Sequence, residues 1–249
     1  MYHSAGRAVV RGTASALMLL LLGGVSAAQR SQLLKNVELC NGADRTSPDV
    51  QIGGCTALIN SSAQTPQSLV IAYNNRGVAY QKKGEYDRAI EDFDASIKLN
   101  PDYASAFANR AQTYLNKGEY ARAVQDYDEA IRLKPALEAV WNGRCWTRAI
   151  VGELEAALAD CNEALRLKPD VAATLDSRGL TYLKMGQWDS AIDDYSSALR
   201  VDPKLASSLY GRGLAKLKKG DVTGGDADIA AAKAIEANIV GDFARYGVQ

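Results

Sequence analysis

Prolines recur at 101, 135, 169 and 203 and glycines at 84, 118, 152, 186 and 220, both series at a spacing of 34 residues and in fixed register with each other. A period of that size holds two helices and a turn, and one such unit cannot bury its apolar face alone. The spacing therefore predicts an all-α stack of helix-turn-helix units before any residue chemistry is considered. Five units follow: 70–103, 104–137, 138–171, 172–205 and 206–239. In the first, Tyr73, Gly77 and Tyr80 recur at helical spacing and Gly84 ends the first helix. Ala89, Phe93 and Ile97 mark the second helix, which Pro101 stops.

The segments outside the repeats differ in character. Arg7 and Arg11 precede an apolar stretch from Thr13 to Val25, and the small residues Ser26, Ala27 and Ala28 follow. A charged start, an apolar run too short to span a bilayer and a small-residue site predict a secretory signal over 1–28, cleaved near Ala28. An uncleaved N-terminal anchor is the alternative. Residues 29–69 read as a degenerate N-terminal cap, in which Ser47 and Pro48 open a helix running to about Asn60. Ile52, Cys55, Leu58 and Ile59 lie on its buried side, and Asn60 to Ser68 reads as a loop. Residues 240–249 form a C-terminal cap or tail, with a short capping helix expected from about Ile239 to Tyr246.

Composition narrows the function classes. The whole chain carries 29 basic and 29 acidic residues, and removing 1–28 takes away only Arg7 and Arg11, leaving 27 against 29. No nucleic-acid partner is suggested by that balance. The one histidine, His3, falls inside the predicted signal, so the remaining chain has no imidazole for a nucleophile-base pair or a zinc site. No catalytic residue, metal or cofactor is assigned, and the reading is of a protein that is not an enzyme. Four cysteines in an exported chain invite pairing, Cys40 with Cys55 and Cys145 with Cys161. Each bridge would close a loop of about 15 residues, worth roughly 3 kcal/mol. Free buried thiols and a redox pair are the rival readings.

The repeat pattern resembles the tetratricopeptide repeat (TPR), whose consensus places a large residue, Gly and Tyr in its first helix and Ala, an aromatic, Ala and Pro in its second. The large-residue column here is Tyr73, Phe107, Trp141, Leu175 and Leu209, and the Ala column is Ala89, Ala123, Ala157, Ala191 and then Gly225. The fifth unit departs most, with Lys216 in the Tyr column and Ala237 in the Pro column, as suits an end unit. The resemblance implies a right-handed α-solenoid of about five TPR units with degenerate caps at both ends. It also implies that the Cys145 column, held elsewhere by Gly or Ala, faces the Cys161 column, held by Phe93, Tyr127 and Tyr195 in three other units. Where the consensus is apolar or aromatic, all five first helices carry Arg and all five second helices carry Asp sixteen residues later. These are Arg76 and Asp92, Arg110 and Asp126, Arg144 and Asp160, Arg178 and Asp194, and Arg212 and Asp228. Five copies point to structural salt bridges rather than to one active site.

In this family the first helices line a concave groove that serves as the usual ligand surface. The corresponding stripe contains Asn74, Val78, Asn109, Gln112, Asn142, Trp146, Leu180, Leu183, Tyr210 and Leu214, and it grows more apolar toward the C-terminus. Trp146, Leu180, Leu183, Tyr210 and Leu214 read as a ligand-contacting patch, or else as packing against neighbouring repeats or the chain's own C-terminal helix. Asn74, Asn75, Asn109 and Asn142 could hydrogen-bond a peptide backbone. Lys82, Lys83, Lys117, Lys184, Lys218 and Lys219 form a basic edge that complements the first-helix dipoles. The resulting expectation is a non-catalytic scaffold or adaptor of the cell envelope, periplasmic or secreted, that holds a protein or peptide partner in its groove. No stable membrane span is expected after signal cleavage. A self-associating structural protein or a chaperone-like module is the alternative.

Overall fold

A computed structural model describes residues 26–42, 46–62 and 65–248. Residues 1–25 of the expected signal lie outside them; Ser26 caps the first helix and Ala27 and Ala28 begin it. Among the described residues there are thirteen helices and no strand. They fall into two compact units, divided between Lys134 and Pro135.

The N-terminal unit contains α1 (Ala27–Asn41), α2 (Pro48–Ile59), α3 (Pro66–Lys83), α4 (Tyr86–Leu99), α5 (Ala104–Lys117) and α6 (Tyr120–Leu133). Each helix packs on the next, with α1, α3 and α5 the first members of three antiparallel pairs. The Ser47 hydroxyl accepts from the Val50 amide and Pro48 occupies the first turn of α2, so a residue without an N–H sits where none is needed. Thr65, Pro66 and Ser68 repeat the device as a reciprocal capping box. For that reason α3 begins at Pro66, and the loop expected through Ser68 ends earlier.

The C-terminal unit contains α7 (Glu138–Val151), α8 (Leu154–Leu167), α9 (Ala172–Lys184), α10 (Trp188–Val201), α11 (Ala206–Lys218), α12 (Val222–Ile235) and α13 (Ile239–Arg245). α7 to α12 form three pairs of the same kind, and the last helix, α13, packs on α11 and α12.

Three sequence columns build this geometry. Gly84, Gly118, Gly152, Gly186 and Gly220 all have φ between 73° and 92°, the left-handed conformation that reverses the chain after a first helix without Cβ strain. Ala89, Ala123, Ala157 and Ala191 are fully buried, which lets the second helix approach the first. Gly77 lies against the ring of Phe93, where a Cβ would sit 2.7 Å from the ring, and Gly179 stands in the same relation to Tyr195 at 2.8 Å. In the third repeat Cys145 and Cys161 occupy these two columns and are bonded, with Cα atoms 5.4 Å apart. A covalent link thus stands where the first, second and fourth repeats have Phe93, Tyr127 and Tyr195 opposite a small residue and the fifth has Ile229. Cys40 is bonded to Cys55 between α1 and α2, with Cα atoms 4.5 Å apart, and no cysteine is free.

All five arginines grip the aspartate sixteen residues later through Nε and Nη2, at 2.6–2.8 Å. These bidentate forks tie the two helices of a repeat together. The remaining nitrogen, Nη1, reaches back to the preceding helix, from Arg76 to Thr56, from Arg178 to Asn162 and from Arg212 to Ser196. Arg110 pairs with Asp94 in the same manner. These four guanidinia therefore set two registers, within their repeat and against the helix before it.

The basic edge is largely engaged in further ties between repeats. Lys83 pairs with Asp49 and Lys117 with Asp87, and Lys219 pairs with Asp189. These pairs are exposed and each contributes at most about 1 kcal/mol.

Candidate protein-interaction face

In the N-terminal unit, the first-helix stripe turns inward. The Asn109 side chain donates to Asn74 at 2.9 Å, Asn74 donates to Asn75 at 3.3 Å, and Asn75 donates to Asn41 at 3.4 Å. Asn74 is completely buried, and Val78 and Asn109 are nearly so. These amides form a ladder joining α1, α3 and α5, a structural use of groups the sequence offered to a peptide backbone. Gln112 stays half-buried, donating to Asn116 and accepting from the Tyr127 hydroxyl.

In the C-terminal unit, the stripe is covered by the end of the chain. Trp146 on α7 meets Tyr246 edge to face with ring centroids 5.0 Å apart, and Tyr210 on α11 meets Phe243 in the same manner at 4.7 Å. Such pairs add about 0.5–1.5 kcal/mol each beyond the area they bury. Trp146 is 6% exposed, Leu180 1%, Leu183 4% and Tyr210 8%; Leu214 is half-buried. The apolar stripe is thus not open surface, because α13 and the residues after it lie over it. Asn142, on the same face of α7, is also buried.

Lys184 holds that covering segment in place. Its ammonium donates to the carbonyl of Tyr246 at 2.7 Å and to the carbonyls of Ala149 and Ile150 at 2.6 and 3.0 Å. The last two are carbonyls of the C-terminal turn of α7, which have no partner within their own helix. Burial lowers the Lys184 pKa from its usual value. One side chain therefore joins α7, α9 and the chain terminus.

On the same helix, the Asp176 carboxylate is buried and accepts from the Ser207 and Ser208 hydroxyls at 2.9 and 2.6 Å. Desolvation pushes its pKa up to about 6. A cavity of about 230 Å³ remains next to the tail, lined by Leu183, Lys184, Trp188, Leu214, Lys218, Gly247 and Val248.

From sequence, Lys184 is only one lysine of the basic edge, and Phe243 and Tyr246 are assigned no contact. A signal for the aromatics was present, since Ile239, Phe243 and Tyr246 fall at i, i+4 and i+7 and form one apolar stripe. Lys184 carried none, being one of several lysines at first-helix ends. The arrangement offers aromatic faces, a half-buried ammonium for a backbone carbonyl and a recess of mixed polarity, which are means of holding a peptide segment.

Helix pairs that stack by a fixed repeat define a protein-interaction scaffold. Family models agree: the tetratricopeptide repeat matches residues 70–103 and 104–137, and a TPR repeat model matches 179–220. Over these residues the chain carries tetratricopeptide repeats. Among curated proteins no sequence matches it. Solved structures with the same fold include a tetratricopeptide repeat protein from Parabacteroides merdae, at 15% identity and TM-score 0.68, covering 87% of this chain and 90% of that one. YrrB, a TPR protein described as having an unusual peptide-binding site, is 18% identical with TM-score 0.57, covering 74% of this chain and 93% of its own. TTC0263 of Thermus thermophilus is 22% identical with TM-score 0.58, covering 74% and 97%.

Proposed function

We propose that this protein is a non-catalytic adaptor of the cell envelope that holds a peptide or partner helix on its first-helix face. The observation that carries the reading is the docking of α13 and its tail on Trp146, Tyr210 and Lys184: this face receives a short helical segment and its backbone carbonyl. A preformed array gives up little conformational freedom on binding, which favours affinity. Two disulfides and the apolar N-terminal segment after Arg7 and Arg11 support a place outside the cytoplasm, periplasmic or secreted. No described helix is long and apolar enough to cross a membrane.

The test is affinity capture from envelope extract with the purified protein, a Leu214→Glu variant and a Leu99→Glu control. Leu214 is half-buried at the rim of the face, whereas Leu99 is exposed at the end of the second helix α4. A partner retained by the wild type and the control but lost by Leu214→Glu, at unchanged circular dichroism, is the expected result. Retention by all three, or by none, would refute the reading.

A further inference from the structure

We infer that residues 239–248 are a displaceable self-ligand, and that the partner of this face is a helical segment presenting two aromatic side chains three positions apart, followed by a bulky apolar residue. The inference rests on the proposed adaptor function and names the chemistry of its partner. Three observations carry it. The covering segment is held by two aromatic contacts, Phe243 on Tyr210 and Tyr246 on Trp146, and by Lys184 gripping the Tyr246 carbonyl. Any peptide backbone supplies that carbonyl, so the recognised elements are the two rings and their spacing.

The helix that carries Phe243 and leads into Tyr246 is short. α13 has seven residues, Ile239–Arg245, below the length at which an isolated helix is stable, so it is helical because of the surface it lies on. It is attached through Glu236–Asn238, where the chain leaves α12, and its detachment leaves the pairing of α11 with α12 in place.

The fit is also incomplete. Gly247 and Val248 border the cavity of about 230 Å³ whose other walls are Leu183, Trp188, Leu214 and the stems of Lys184 and Lys218. An engineered cavity of about 150 Å³ suffices to hold benzene. A partner with a large apolar residue at the position of Val248 fills space that the chain's own end leaves empty. That gives the partner an advantage over a competitor tethered at an effective concentration on the order of millimolar.

The experiment uses fluorescein-labelled peptides with the sequence of residues 236–249, followed by fluorescence anisotropy on the purified protein. The receptors are the wild type and a Phe243→Ala, Tyr246→Ala double variant, whose own tail no longer competes. The double variant should bind the peptide at least about tenfold more tightly than the wild type, the penalty expected for an occupied site. A peptide carrying Val248→Phe should bind more tightly still, and one carrying Phe243→Ala and Tyr246→Ala should bind to neither receptor. Equal binding by both receptors, or none by a folded double variant, overturns the self-ligand.

Amide exchange on the wild type covers the case in which the double variant fails to fold. The amides of 239–248 should exchange through local opening, faster than those of α11. Exchange of both segments only by global unfolding would make the tail part of the core and sink the proposal. A concentration-dependent dimer that the free peptide dissociates would replace the outside partner with a second copy of this chain. Peptide results that fail while Leu214→Glu still abolishes capture would refute the self-ligand alone. Capture unaffected by Leu214→Glu would refute the adaptor reading on this face.

Discussion

Replacing Asp194 by leucine isolates the arginine-aspartate fork in the C-terminal unit. Asp194 is 6% exposed and accepts from Arg178 Nε and Nη2 at 2.7 and 2.8 Å, while Arg178 Nη1 donates to Asn162. Removing the carboxylate leaves a mostly buried guanidinium with one neutral acceptor. Breaking a buried pair costs about 3–5 kcal/mol, and because the Arg178 side chain keeps 23% of its exposure the expected cost lies near 3 kcal/mol. With a urea slope of about 3 kcal/mol per molar, the unfolding midpoint falls by roughly 1 M. The double variant Arg178→Leu, Asp194→Leu removes both desolvated charges and restores the apolar character common in this family. Its midpoint should lie within about 0.3 M of the wild type, since an apolar replacement of a buried pair is often neutral. Urea titrations followed by circular dichroism at pH 7 decide the matter, with exchange of α9 and α10 amides confirming that the loss is local. A double variant as unstable as the single one would refute the reasoning, because the fork would then be a net source of stability rather than a device that fixes register.

Other substitutions follow from the same packing. The folded pKa of Asp176, about 6, lies above the ordinary carboxylate value, so the folded state holds the extra proton between about pH 4 and 6. Its contribution is therefore lost as pH rises through 6, by up to about 3 kcal/mol, and Asp176→Asn should be the more stable protein at pH 7 with little difference at pH 4. Thermal melts at the two pH values check this. The Tyr195 hydroxyl is buried without a hydrogen-bond partner among the described residues, and the equivalent residue of the first repeat is Phe93. Tyr195→Phe is accordingly expected to stabilise by about 1 kcal/mol in the same melts. Loss of the Cys145–Cys161 bond through Cys145→Ala, Cys161→Ala should cost roughly 3 kcal/mol, whereas Cys145→Gly, Cys161→Tyr, which rebuilds the Gly179–Tyr195 contact, should recover part of it under reducing conditions. Gly179→Val, whose side chain meets the Tyr195 ring, is expected to cost 3 kcal/mol or more in urea titrations, about what severe overpacking exacts.

The repeat columns were legible because each is a local requirement stated five times. Gly84 and its equivalents mark a turn that needs positive φ, and the aspartate sixteen residues after every arginine marks a fork. Repetition separates such residues from chance. Occupancy of the C-terminal stripe follows another logic, because it depends on a single event, the reversal of the chain after Ile235. The stripe reads identically whether a partner or the chain's own end covers it, since Trp146, Leu180 and Tyr210 need only some apolar cover. The amide ladder was hidden for a related reason: Asn74 and Asn109 are both polar and buried, and only their mutual hydrogen bond reconciles the two.

The physics of the chain end ties its fold to its exchange. A seven-residue helix cannot stand alone, so its order comes from what it packs on: Ile239 and Phe243 are buried against the array, and Tyr210, Trp146 and Lys184 hold the rings and the Tyr246 carbonyl. Those contacts lie on α7, α9 and α11, whose own pairing with α8, α10 and α12 does not involve the tail. An element stabilised wholly by a host that does not need it in return occupies the low-stability end of the opening scale. The same dependence that makes residues 239–245 helical makes the segment 239–248 the first to leave, and its departure uncovers Trp146 and Tyr210 without disturbing the repeats that present them.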